Sequence, residues 1–496
     1  MPHFSPRQII ERIRDRLVPF TAGSREPARH QSLHAALDWS HALLGGEEQV
    51  GFRRLAVFPG SFTPEAALAV CGEPAALEDL LQLQRKSLIV GEHDDTHMRW
   101  RMLDTVRAYA AFRLREAGEE PLVRDRHRAH FLAWAEAIPP ELTYLDPRGD
   151  VQREQHNLRA ALRWSEQQGR WDLVGRLAST MNRVWIGHVR EGRRWLTGAM
   201  AGLDDLEPEH RVRVLAVAAH VAVLAIQAGD GELARRAVAA DGRPGFWSSL
   251  AHGLLCLNHG LRGFIGKDDH HVAEAERVGR KAVDLAPEPL SRGLAWFWLG
   301  QARVLFGDLD GAADALERGS VEAVPGGDMS VVSLALLAGV RHLTGEHEAA
   351  LAAATEAVDR VRSSRRSGLW AWELYTSLPY ALELGHHGRH AEAVDFVRDL
   401  VEDNAVPDTP GVTTSVVTVL GALAVLRGDL DTAGLLLAHA GHAMMTTGIR
   451  TPVDIALYSH YLRRCDETDL GTAGRHRHLA SEMSASEAVA RGLGNG

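Results

Sequence analysis

The sequence lacks long hydrophobic runs. Its two longest apolar stretches, 214–226 and 415–426, have about a dozen residues each, whereas a helix needs roughly 20 to span a bilayer. The first residues, from Met1 to Arg7, include no apolar segment of the kind that signal peptides carry. These absences exclude a membrane protein by sequence, and we expect a cytoplasmic protein that makes no membrane contact.

Cysteine is scarce, and so is lysine. The 496-residue chain has three cysteines, whose wide separation gives no zinc-knuckle or redox-pair spacing and favours reduced intracellular thiols. The cysteines are Cys71, Cys256 and Cys465, and the three lysines are Lys86, Lys267 and Lys281.

The lysine content decides whether a phosphate-binding loop is present. The loop G-x-x-x-x-G-K-[ST] needs a lysine for the phosphates and a hydroxyl for magnesium. Only Lys267 follows a glycine, but Leu261 stands where the first glycine belongs and Asp268 replaces the hydroxyl residue. We therefore expect no nucleotide and no other cofactor.

The charge balance is acidic. Fifty-five basic and 65 acidic residues give a formal net charge of −10, and residues 1–136 alone carry 18 basic and 19 acidic side chains with no basic stripe. Binding to phosphate backbones needs a concentrated basic face, so a general nucleic-acid binder is excluded. Hydrophobic residues at 45% and charged residues at 24% are typical of globular proteins.

No pattern for catalysis or metal binding stands out. The motifs G-x-S-x-G and H-E-x-x-H are absent. The 26 histidines include the adjacent pairs His270-His271 and His386-His387, whose members point in different directions and are interpreted as solvated turn residues. We predict a protein that is not an enzyme, with no catalytic residue and no metal site.

Helical periodicity dominates the chain. Apolar residues in 158–164 fall on one face of a helix, and only 87–103 shows two β-prone runs around a polar Gly/Asp turn, which predicts a hairpin. Helices before the hairpin and one after it, at 105–117, follow the order of a winged helix, which we place at 30–120.

Beyond residue 210 a helix-pair pattern repeats. Gly307, Gly345, Gly388 and Gly428 follow one another at intervals of 38, 43 and 40 residues, Gly229 lies 78 residues earlier, and Gly266 divides that interval imperfectly. Five residues after each of the five clear glycines stands an alanine, as closely packed helices require. These alanines are Ala234, Ala312, Ala350, Ala393 and Ala433. A period near 40 predicts an α-solenoid, and the unit 296–312 resembles the tetratricopeptide consensus, with Trp296 at a core position.

The first two hundred residues resemble a known family. The segments that carry the resemblance include RHQSLHAALDWSHALL at 29–44, FRRLAVFPGSF at 52–62, RMLDTVRAYA at 101–110, EQHNLRAAL at 154–162 and EGRRWL at 191–196. They are similar to the part that follows the nucleotide-binding domain in bacterial signal-transduction ATPases with numerous domains, including LuxR-type and SARP-like actinobacterial regulators. The resemblance implies that the winged helix is a nucleotide-sensing lid and not a DNA reader.

The departures from the family leave two interpretations open. The P-loop domain is missing, Leu103 stands where related ATPases have a nucleotide-contacting histidine, and 483–490 resembles the point where such chains end or pass into a LuxR-type DNA-binding domain. The first interpretation is a transcriptional regulator reduced to its lid and sensor parts, which binds a protein or small effector. The alternative is an ATP-dependent switch truncated at its N-terminus.

The predicted architecture is mostly α. It comprises a remnant of the preceding lid at 1–29, the winged helix at 30–120, a helical linker at 121–210, tetratricopeptide-like repeats at 211–470 and a tail at 471–496. First helices of such repeats line a concave face, so the predicted partner-binding residues are Phe297, Gln301, Val304, Tyr375 and Leu378. We expect a protein or small-molecule partner at this face and no direct DNA contact, and self-association is left open.

Overall fold

The computed structural model describes residues 36–72, 77–93, 98–145, 149–224, 231–323, 328–363, 370–403, 410–446, 451–468 and 476–494. The chain divides into two compact units, Met1–His127 and Arg128–Gly496. The predicted remnant at 1–29 and the helix end at Gly229 lie outside the described residues. The other predicted domain boundaries stay predictions.

The first unit is a winged helix. A helical segment at 36–42 begins the described part of this unit. It is followed by α1 (Gly46–Arg54), α2 (Pro64–Cys71), α3 (Leu77–Arg85), the hairpin of β1 (Val90–His93) and β2 (Met98–Arg101), and α4 (Asp104–Glu116). The strands are antiparallel, with Val90 opposite Arg101, which confirms the predicted hairpin.

Local sequence explains where α2 begins and ends. The Thr63 hydroxyl accepts a hydrogen bond from the Ala66 amide at 3.2 Å, which satisfies a donor that the first turn leaves free. Pro64, with its fixed φ, occupies the first helical position. Gly72 ends the helix at a φ of 81°, a conformation that costs glycine little.

Trp100 ties the hairpin to the helices. Its backbone exchanges two hydrogen bonds with Phe62, Phe62 N to Trp100 O at 2.8 Å and Trp100 N to Phe62 O at 2.9 Å. Its indole nitrogen donates to Gln84 Oε1 of α3 at 2.7 Å. The Trp100 side chain is fully buried, as are Phe52 and Phe62, so this aromatic cluster is the core on which the wing rests.

The remaining helices form one continuous series. The helices that lead from the first unit to the repeats are α5 (Glu120–Glu136), α6 (Pro140–Leu145), α7 (Asp150–Gln167), α8 (Trp171–Thr180), α9 (Asn182–Gly187), α10 (Val189–Ala199), α11 (Pro208–Leu224) and α12 (Glu232–Ala240), with a 3₁₀ segment at Met200–Asp205. No helix among the described residues is long and apolar enough to cross a bilayer.

Five helix pairs follow and confirm the predicted helical repeats. The pairs are α13 (Phe246–Gly266) with α14 (Asp269–Leu285), α15 (Pro289–Phe306) with α16 (Leu309–Glu322), α17 (Asp328–Thr344) with α18 (His347–Ser363), α19 (Trp370–His386) with α20 (His390–Asp403), and α21 (Pro410–Leu426) with α22 (Leu430–Thr446). The chain then adds α23 (Pro452–Thr468), α24 (Arg477–Glu482) and α25 (Ala485–Gly492).

Glycine ends the first helix in four pairs. Gly307, Gly345, Gly388 and Gly428 have φ between 77° and 84°, the left-handed conformation predicted for them. In the first pair the left-handed residue is Lys267, at a φ of 49°, and not Gly266. The chain turns one residue later there, which explains why Gly266 divides its interval imperfectly.

Small residues allow the helices of a pair to approach closely. The predicted alanines of the pairs, such as Ala312, are 0% exposed, and Ala234 of α12, which packs on α11, is 3% exposed. A Cβ placed on Gly300 of α15 would lie 2.9 Å from Leu316 Cγ of α16. The two helices of such a pair can approach this closely only where one of the facing side chains is small.

The Ala312→Leu substitution is expected to lower the free energy of unfolding by roughly 1–3 kcal/mol, the usual cost of overpacking a close contact. Ala312 has no exposed surface, so the added isobutyl group must push α15 and α16 apart. Thermal denaturation followed by circular dichroism measures the change. An unchanged melting curve would show that the pair has room at this position.

The structure corrects one predicted core residue. Trp296 is only half-buried: its indole nitrogen donates to Glu322 Oε1 at 3.2 Å, and the Arg318 guanidinium lies 5.0 Å from the ring centroid. Trp298 is buried instead, at 6% exposed. A tryptophan can lie at the edge of a helix pair because its indole nitrogen donates a hydrogen bond to a carboxylate there, as that of Trp296 does to Glu322.

Candidate interaction groove

One face of the repeat array is formed by the first helices of the last four pairs, which are α15, α17, α19 and α21. The 17-residue helix α23 lies across this face. It packs against α15, α17, α21 and α22, and it is joined to α19 by hydrogen bonds. We call the face of α15, α17, α19 and α21 that α23 covers the groove.

Close backbone approach lets α23 enter the groove. A Cβ on Gly339 of α17 would lie 2.7 Å from Val453 Cγ1 and 3.7 Å from Leu457 Cδ1. Val453 and Leu457 are 2% and 6% exposed, which places the apolar side of α23 inward. Burial of such side chains supplies about 1.5–3 kcal/mol each relative to exposure.

Tyr375 connects α19 to the start of α23. Its hydroxyl lies 2.8 Å from Thr451 Oγ1 and donates to Asp454 Oδ2 at 3.4 Å. Asp454 also accepts from the Thr451 amide at 3.2 Å, which caps the first turn of α23. Burial, with the Asp454 carboxylate beside it, raises the pKa of Tyr375 well above its usual value, so the hydroxyl stays protonated.

The other predicted partner-binding residues are buried in the array. Phe297 and Val304 are each 6% exposed, Gln301 is 2% exposed and Leu378 is 3% exposed. Gln301 Oε1 accepts no hydrogen bond from the described residues. Buried amide oxygens are nearly always paired, so Gln301 Oε1 is an unsatisfied acceptor inside the array. The partner-binding role of the five residues stays a prediction.

A polar cluster lies beside the groove. His342 Nδ1 of α17 lies 2.6 Å from Glu383 Oε1 of α19, and His342 Nε2 lies 2.6 Å from the Tyr461 hydroxyl of α23. One neutral tautomer satisfies both contacts: Nδ1–H donates to the carboxylate and Nε2 accepts from the hydroxyl. Burial raises the pKa of Tyr461, which keeps that hydroxyl a donor.

Two further histidines complete this cluster. His347 Nδ1 of α18 lies 3.4 Å from Glu383 Oε2, and the His386 ring stacks on His347 with centroids 3.3 Å apart. Burial, together with the nearby His347, lowers the pKa of His386. His342, His347 and Glu383 offer ligand atoms that all lie within 4.8 Å of one another.

Sequence reasoning missed this cluster. It interpreted His386 as a solvated turn residue and predicted no metal ligand. The structure instead turns the His386 ring onto His347. The available signal was weak: histidines stand close to the helix-ending glycines Gly345 and Gly388, but no ligand motif spans three helices at such spacing.

The helix α3, which is the second helix of the helix-turn-helix, begins with acidic residues. In helix-turn-helix proteins the N-terminal residues of that helix contact base edges. Here the first turn of α3 carries Glu78 and Asp79, and Lys86 pairs with Glu48 at 2.7 Å. Carboxylates at that position repel phosphates, and the predicted absence of direct DNA contact stays a prediction.

Comparison with known proteins identifies the first unit. The winged helix-turn-helix domain family matches residues 48–115. Two relatives are named as HTH-type transcriptional regulators, one from Mycobacterium tuberculosis (strain ATCC 25618 / H37Rv) and one from Mycobacterium bovis. Each is 36% identical to this chain over 206 residues. That region is 40% of this chain and 23% of each relative, so the chain spans about a quarter of the length of these relatives.

One further sequence relative and one solved structure are similar to this chain. An uncharacterized protein of Mycobacterium tuberculosis is 37% identical over 134 residues, which are 25% of this chain and 34% of the relative. The crystal structure of a signal transduction ATPase with numerous domains from Pyrococcus horikoshii, with a tetratricopeptide repeat sensor, is 16% identical and covers 96% of this chain and 68% of that one. Its TM-score is 0.46.

Proposed function

We propose that this chain is a regulatory interaction protein in the control of transcription and that its helical repeats bind a protein or small effector in the groove. The winged helix-turn-helix match and the homology to proteins named as transcriptional regulators support the regulatory part. Direct DNA recognition by the winged helix is not part of the proposal, because Glu78 and Asp79 stand where base contacts would be made.

The occupancy of the groove by α23 carries the proposal. A helix lies across the first helices of the array, with inward apolar side chains and polar anchors at Tyr375 and His342. Solenoid grooves bind helices by the same combination of apolar side chains and a few polar contacts. An effector that binds here competes with α23, which bonds to Tyr375 and packs on α15, the helix that carries Gln301.

The test uses variants that keep the fold. Gln301→Leu replaces the amide, whose Oε1 accepts no hydrogen bond from the described residues, by an apolar group of similar size. Tyr375→Phe removes only a hydroxyl. We expect loss of the gene to change a defined set of transcripts in the organism that encodes it. The wild-type gene should restore these transcripts, the double variant should not, and Glu317→Ala on the second helix α16 should restore them as the wild type does.

Two outcomes would contradict the proposal in different ways. If loss of the gene changes no transcripts, the regulatory role is wrong. If the double variant accumulates normally and restores every transcript, the regulatory role stands but the groove is not the effector site.

A further inference from the structure

A buried carboxylate lies at the junction of three helices. Glu383 of α19 has a side chain only 1% exposed, between His342 of α17 and His347 of α18. Its Oε1 accepts from His342, but its Oε2 accepts no hydrogen bond from the described residues. A buried carboxylate with one unsatisfied oxygen is costly, because protein interiors solvate charge poorly.

The surrounding donors have the chemistry of a metal site. One ring nitrogen of His342, one ring nitrogen of His347 and a Glu383 oxygen lie within 4.8 Å of one another. The contacts to Glu383 are 2.6 Å for His342 and 3.4 Å for His347. A cation held at about 2.0–2.2 Å by two imidazoles and a carboxylate keeps its ligand atoms roughly 3.4 Å apart. The His347 contact already has this spacing, whereas His342 exchanges its hydrogen bond to Glu383 for a bond to the ion.

We propose that His342, His347 and Glu383 bind one divalent transition-metal ion of the Zn²⁺ type. Two histidines and one carboxylate form a donor set that suits zinc and its first-row neighbours and disfavours calcium and magnesium, which take oxygen ligands. The ion satisfies Glu383 Oε2 and neutralises the buried charge.

The groups behind the ligands also fit a metal site. A metal-binding histidine is usually oriented by a hydrogen bond from its second ring nitrogen. His342 has such a contact, from Nε2 to the Tyr461 hydroxyl at 2.6 Å. With Nδ1 on the ion, Nε2–H donates to that hydroxyl, so the ion links α17, α18 and α19 and orients the residue that touches α23.

The site has a way in. The His347 side chain is 24% exposed while His342 and Glu383 are buried, so an ion reaches the carboxylate past His347. The stacked His386 has a buried Nδ1 that makes no hydrogen bond to the described residues. Because its ring stacks on His347, this nitrogen or a water completes the coordination.

The experiment is a Zn²⁺ titration of the full chain, stripped of metal with a chelator and followed by calorimetry. Saturation at one ion per chain is expected, with a rise in melting temperature because the ion binds the folded state. Co²⁺ should give the visible absorption of a nitrogen- and oxygen-ligated ion. His347→Ala should weaken binding at least roughly tenfold, as loss of a ligand or its support does.

Controls separate this site from the many other histidines. Glu383→Gln keeps an acceptor for His342 but removes the charge, and it should weaken binding to a similar degree. His442→Ala, an exposed histidine of α22, should leave the titration unchanged. Circular dichroism of each variant shows that the fold persists.

Three results would overturn the proposal. The first is that the wild type binds no Zn²⁺ saturably. The second is that the wild type and all three variants share several weak sites. The third is that Glu383→Gln binds Zn²⁺ as tightly as the wild type. In each case the cluster is a hydrogen-bonded link between helices. The titration uses no effector, so its outcome is independent of the regulatory function proposed above.

Discussion

Trp100→Ala is expected to lower the free energy of unfolding of the winged-helix unit by about 3–5 kcal/mol, the usual cost of truncating a buried tryptophan. Trp100 is fully buried, and its indole nitrogen donates to Gln84 at 2.7 Å. The substitution leaves a cavity among the aromatic side chains and an unpaired Gln84 oxygen. Hydrogen exchange of the amides in α4, followed by mass spectrometry, measures the loss within this unit.

Trp39→Ala is the matched control. Trp39 is 67% exposed, so removal of its indole should change stability by no more than about 0.5 kcal/mol. Equal exchange rates in Trp100→Ala and Trp39→Ala would mean that the hairpin does not depend on Trp100 for its attachment to the helices.

Tyr461→Ala is expected to cost about 3–5 kcal/mol in the metal-free protein, by the same cavity argument. Tyr461 is fully buried where α23 enters the groove, and its hydroxyl is the partner of His342 Nε2 at 2.6 Å. Tyr461→Phe keeps the ring and should lose only about 1–3 kcal/mol, the cost of leaving one buried polar group unpaired. Urea denaturation followed by circular dichroism compares the two.

Arg463→Ala serves as control on the same helix. Arg463 is exposed, and its replacement should leave the denaturation curve unchanged. If Tyr461→Ala unfolds at the same urea concentration as Arg463→Ala, then α23 does not stabilise the array, and its place in the groove is weakly held.

The repeat architecture could be predicted because its signals are local. A glycine such as Gly307 ends a helix through its own backbone freedom, and an alanine such as Ala312 recurs because paired helices must approach. The hairpin at 90–101 could also be predicted from the sequence, since two β-prone runs around a polar turn define it within a dozen residues. Periodicity near Trp296 did not decide which aromatic is core, because its neighbours Phe297 and Trp298 are equally apolar.

The candidate sites could be predicted only in part. Sequence alignment of the repeats placed Tyr375 and Gln301 on first helices, and the structure puts Tyr375 against α23. Nothing in the sequence of 452–468 indicates that this helix crosses the array. The contact between His342 and Tyr461 joins residues 119 positions apart, and long-range contacts of this kind leave no local pattern.

The sequence by itself determined the elements, which are helix pairs with a period near 40 and a winged hairpin, because each depends on residues close together in the chain. Only the tertiary structure decided that α23 covers the groove and that His342, His347 and Glu383 meet. The physical reason is that these contacts arise where separate helices converge, and each of the three residues taken alone is an ordinary polar residue of its own helix.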